Sequence, residues 1–158
     1  MVLNFRSFAT DPGNRYMTAV EITDNNLQHG QGMHGSFSRA DTMNFMAAIG
    51  PDFKAGFVDE APVSNADIGL TMARILGLPL HAKGQLLGRV LTEAMRGGAA
   101  VRHTKGILRS EPSETGLRTV VQYQTVGRTR YFDAAGFPGR TVGLQDGLSA
   151  NVPATAER

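Results

Sequence analysis

The chain has 158 residues, a formal charge of +2 and a sequence pI of about 9.3. It is of one-domain size, and its basic residues are spread out with no run of the kind that grips nucleic acid. The absence of cysteine excludes a disulfide framework, a thiolate metal site and a cysteine nucleophile. No stretch approaches about 18 uninterrupted apolar residues, so no membrane span is expected, and the start MVLNFRSFAT lacks the charged region and apolar core of a signal peptide.

A hydrophobic content of 41% together with 19 glycines favours loops over a thick core. Asp11-Pro12-Gly13-Asn14 reads as a turn, residues 17–22 as a short strand and 24–35 as a long loop. In that loop His34 stands among glycines, which let the backbone turn sharply and leave room for an ion and a substrate oxygen. Residues 42–49 read as a short buried strand that would hold the loop rigid. Ser64 lies three residues before Asp67, a capping signal for a helix over 65–76 that packs on a sheet. Ile68, Met72, Ile75 and Leu76 form its apolar stripe and Gly77 its stop.

A second apolar stretch, 86–95, is expected as a short helix or strand ended by Gly97-Gly98. Arg102, His103, Lys105 and Arg109 make a loose basic patch that reads as solvated surface. Between 117 and 132, β-branched and aromatic residues flank Gly127, the pattern of an antiparallel hairpin. A turn follows at 134–139, and 148–158 has no periodicity and reads as a frayed, flexible tail. There is no internal repeat. The order strand, His34 loop, strand, helix suits an α/β sandwich with a largely parallel sheet, the hairpin being an antiparallel addition at an edge.

The segment 31–54 carries a further signal. It contains Gly32-Met33-His34-Gly35, then Asn44-Phe45-Met46-Ala47-Ala48-Ile49, then Gly50-Pro51-Asp52-Phe53-Lys54. Motif, apolar segment and turn, in this order, resemble the last metal-ligand motif of the alkaline phosphatase superfamily, in its nucleotide pyrophosphatase/phosphodiesterase branch. Downstream, Val63-Ser64-Asn65-Ala66-Asp67-Ile68 and Thr71-Met72-Ala73-Arg74-Ile75-Leu76-Gly77-Leu78-Pro79 are similar to the family's next segment, with Leu70 where that pattern often has Pro. Val2 to Phe8 also looks like the strand that comes shortly before the last ligand. The resemblance covers most of the chain and is most specific over 31–79.

The resemblance implies an α/β/α sandwich and a two-metal site, usually zinc, in which His34 ligates the ion that stabilises phosphoryl oxygens and the attacking water. It also implies a phosphoester or nucleotide substrate and a periplasmic or secreted location. Arg39 and Asp41 stand close enough in sequence to brace the ligand or touch substrate, and loop capping explains them equally; His29, five residues before His34, is a weaker candidate that could reach the same ion or the substrate, its plainer reading being a loop residue that hydrogen-bonds locally. His81 and His103 read as surface residues.

The family's nucleophile and remaining ligands lie before the Gly-x-His-Gly motif. Here only Asp11 and Asp24 are aspartates upstream of His34, neither in an Asp-His-Gly context, and no Ser or Thr has a nucleophile's strand-to-helix setting. The expectation is therefore the carboxy-terminal portion of a phosphoric ester hydrolase. Residues 1–96 would belong to the catalytic domain, 97–147 to a β-hairpin extension and 148–158 to the tail, with no catalytic nucleophile in this chain and the missing amino-terminal part as its partner. Two alternatives stand beside it: a phosphomonoesterase, sulfatase or phosphonate hydrolase of the same superfamily, and a non-catalytic, truncated or degenerate stand-alone protein.

Overall fold

A computed structural model describes residues 4–14, 16–22, 26–28, 31–32, 34–81 and 83–144. By contact these divide into two units, one of 4–45, 105–123 and 132–144, the other of 46–104 and 124–131. No helix among the described residues is long and apolar enough to cross a membrane.

In the first unit, β1 (Ser7–Ala9) and β2 (Thr18–Val20) pair antiparallel with Ser7 opposite Val20 and Ala9 opposite Thr18. The Asp11-Pro12-Gly13-Asn14 turn joins them as the residue types dictate. The Asp11 carboxylate accepts from Gly13 N at 2.9 Å, and Asn14 N donates to Asp11 O at 3.1 Å. A single-turn helix, α1 (Arg39–Thr42), is capped by Ser38, whose hydroxyl accepts from Ala40 N. Ser38 is fully buried.

The second unit holds α2 (Asn65–Leu76), at the bounds the capping signal gives. Ser64 and Asp67 form the reciprocal capping box, and Gly77 ends the helix in the left-handed region at φ 64°, where a side chain would be strained. Leu78 N then donates to Ala73 O at 2.9 Å, which satisfies one of the last carbonyls. Within 86–95 the regular structure is one 3-10 turn, Thr92–Ala94. The Gly50-Pro51-Asp52-Phe53 turn is tied to it: Phe53 bridges Met95, Arg96 N donates to Asp52 O at 2.7 Å, and the Lys54 ammonium donates to Gly98 O. A small core joins Ala61, Val126 and Tyr131, with Val101 packed against it.

Strands β3 (His103–Arg109), β4 (Val120–Val126) and β5 (Thr129–Gly136) form a sheet in the order β3-β4-β5. The two-residue link Gly127-Arg128 makes β4 and β5 the expected hairpin. His103, Lys105 and Arg109 of the basic patch fall on β3.

The expected α/β/α sandwich is not what forms: the described residues build small antiparallel sheets with two helices. Parallel strands need long crossovers, usually helical, with both sheet faces covered. Here α2 is the one described α-helix longer than a turn, and Ile68, Met72 and Leu76 of its apolar stripe are exposed. Its buried side chains are Asp67, Thr71 and Ala73, so the helix packs through its small and polar face. The strand expected over 42–49 is also absent. Thr42 closes α1 and 43–49 is irregular, with Phe45 89% and Ile49 99% exposed. An extended segment without a neighbouring strand to take its backbone bonds gains nothing from apolar composition alone.

Candidate functional site

His34 is exposed, and Gly35 beside it takes φ 103°, a conformation that suits glycine alone. The chain is then pinned immediately downstream. Ser36 N donates to the Asp41 carboxylate at 2.8 Å, and the Ser36 and Ser38 hydroxyls lie 3.0 Å apart. Asn4 clamps the next residue to β5 by accepting from Phe37 N at 2.9 Å and donating to Ala135 O at 2.7 Å. Ala135 N in turn donates to Phe37 O at 2.6 Å, so Phe37 joins the β5 backbone. Its ring meets Phe132 edge-on at 6.0 Å. Farther along, Thr42 Oγ1 donates to Asp133 O, and Arg39 pairs with the Asp133 carboxylate at 3.4 Å.

The residues singled out from sequence therefore divide. Asp41 braces the backbone two residues after His34, and Arg39 is turned to Asp133. His29 lies outside the described residues. No group of three or more His, Asp or Glu comes together to hold a metal ion among the described residues. The described residues offer an imidazole on a pinned loop but not a complete donor set for a metal ion.

The densest polar constellation lies in the second unit and centres on Arg89. Its Nε donates to Tyr131 Oη at 2.7 Å, Nη1 to Glu93 Oε2 at 2.8 Å and Nη2 to Pro62 O at 3.2 Å. Nη2 also lies 2.5 Å from Glu93 Oε1, close enough for an ion pair but out of line for a hydrogen bond. Asp67, fully buried, accepts from Ser64 N, Arg89 N and Tyr131 Oη. Asp59 enters from a loop, with Oδ1 accepting from Ala61 N at 3.0 Å. Its Oδ2 and Glu93 Oε1 are buried with no hydrogen-bond partner among the described residues.

Electrostatics follow from this packing. Burial pushes the Asp59 carboxyl up, and the facing Glu93 carboxylate adds to the rise more than Arg89 relieves it. Burial also penalises the Glu93 charge, yet the Arg89 guanidinium beside it holds that carboxyl below its usual range. Desolvation likewise works against the charge on Arg89, and the Glu93 hydrogen bond outweighs it, so the guanidinium is held more firmly charged. Burial drives Tyr131 up to about 12.

This cluster escaped sequence reasoning, although a signal was present: Arg89 and Glu93 stand at i and i+4 inside an otherwise apolar stretch. Comparison with protein-family models, with curated proteins and with solved structures gives no match for this chain.

Proposed function

We propose that this chain supplies His34 as one ligand of the metal site of a phosphoric ester hydrolase, of phosphodiesterase or nucleotide pyrophosphatase type. The nucleophile and the other ligands come from polypeptide upstream. The observation that carries the reading is the Gly-x-His-Gly motif on a loop fixed at its downstream end: a ligand on a pinned tether loses less freedom when it binds. Two divalent ions, zinc in this reading, would supply charge neutralisation at phosphoryl oxygens, with His34 as the ligand this chain contributes. The part of this chain is to present the His34 imidazole. A periplasmic or secreted location belongs to the same reading, which stands on the motif and not on an α/β/α sandwich.

The test is hydrolysis of an activated aryl phosphodiester by the native polypeptide that carries this sequence, before and after chelation. Turnover lost with chelator and restored by zinc supports the reading. Turnover confined to aryl phosphomonoesters, sulfates or phosphonates moves the assignment to those esters, and no hydrolysis of any of them favours a non-catalytic protein.

A further inference from the structure

We propose that Asp59 and Glu93 share one proton, carried on Asp59 Oδ2 and donated to Glu93 Oε1, which makes the Arg89 cluster a pH-sensitive latch between the 59–62 loop and the 89–93 segment. This goes beyond the hydrolase reading and does not depend on a metal at His34.

Among the described residues three carboxyl groups gather at Arg89 and Tyr131: Glu93 pairs with the guanidinium, Asp67 accepts from the Arg89 backbone N and from Tyr131 Oη, and Asp59 faces Glu93. Were all three ionised, two buried negative charges would stand uncompensated, a costly arrangement. Asp67 already has three donors. Among the described residues Asp59 Oδ2 and Glu93 Oε1 are each buried without a hydrogen bond, and a proton between those two oxygens satisfies both.

The proton's position follows from Arg89. The guanidinium forks toward both Glu93 oxygens, at 2.8 and 2.5 Å, so Glu93 keeps the charge and Asp59 the proton. The same guanidinium argues against a divalent cation between the two carboxyls. Shifts in opposite directions, Asp59 up and Glu93 down, agree with one shared proton. Asp59 also accepts from Ala61 N, and Arg89 donates to Pro62 O, so the pair joins both segments.

The Asp59 carboxyl is raised in the fold, so its contribution is complete below the ordinary value of 3.8 and is lost as pH rises through the raised value. Glu93 acts oppositely: its contribution is present above the ordinary 4.5 and is lost as pH falls through the lowered value. The latch is therefore closed between the lowered Glu93 value and the raised Asp59 value, and is released as pH rises through the latter.

The experiment is a carboxyl-carbon NMR titration of the uniformly 13C-labelled full chain, paired with melting curves of wild type and Asp59→Asn over the same pH range. The Asp59 carboxyl carbon is expected to keep its protonated shift to higher pH than a solvent-exposed aspartate, while Glu93 stays ionised to lower pH than an exposed glutamate. In D59N a permanent amide donor replaces the proton, so the wild-type loss of melting temperature across the Asp59 transition should flatten. Ordinary titration of Asp59, as expected if a water serves two ionised carboxylates, would overturn the proposal. So would a D59N protein with the wild-type pH profile.

Discussion

Replacing Arg89 by Leu tests the energetics of the second unit most sharply. The backbone bond from residue 89 to Asp67 survives, but the side-chain bonds to Tyr131, Glu93 and Pro62 are lost together. Glu93 is 1% exposed and the Arg89 side chain 13%, so the variant leaves a buried carboxylate without its counter-charge. Breaking a buried pair from one side costs about 3–5 kcal/mol. At about 2–4 °C per kcal/mol for a chain of this size, the melting temperature should fall by roughly 6–20 °C. Urea denaturation followed by far-UV circular dichroism gives the free energy directly. Removing both charges as R89L/E93L should recover the part of the loss that comes from the unpaired Glu93 charge, while the bonds to Tyr131 and Pro62 stay lost. An R89L protein within about 1 kcal/mol of wild type would refute the view that this cluster holds the unit together.

Three further outcomes follow from other contacts. Tyr131 donates to Asp67 and is pushed up to about 12 from an ordinary 10.0, so its contribution is complete below pH 10.0 and lost as pH rises through about 12. The alkaline loss should be about 3 kcal/mol; a Y131F variant should flatten it, and an unaltered alkaline transition in Y131F would count against the assignment. Asn4→Ala removes the clamp on Phe37 N and Ala135 O and should speed hydrogen exchange of the Phe37 amide while Ala135 N, bonded to Phe37 O, stays protected; unchanged exchange at Phe37 would show that the clamp is dispensable. Pro at Ile75 should destabilise α2 by about 3 kcal/mol or more, checked by the urea midpoint.

What the sequence made legible was local. Ser64, Asp67 and Gly77 define both ends of α2 because capping is a contact within one turn, and the β4-β5 hairpin could be read from β-branched residues around Gly127 for the same reason. What it hid depends on partners distant along the chain. The apolar run 43–49 reads as a strand only if another strand lies beside it, and none does among the described residues. The α2 stripe predicts a buried face, yet Asp67 and Thr71 go inward because Arg89, Tyr131 and Leu91 N bring partners to them. At the candidate site, His34 and its glycine were visible in the motif. The Asn4 clamp, 33 residues away from Phe37, was not.

The central claim, that His34 is a metal ligand, is tested most directly by the metal content of the native polypeptide carrying this sequence, with His34 intact and as H34A. Zinc is expected in the wild-type polypeptide, with a sharp loss in the folded variant. Equal metal content in the two, or no metal in the wild type, would contradict it.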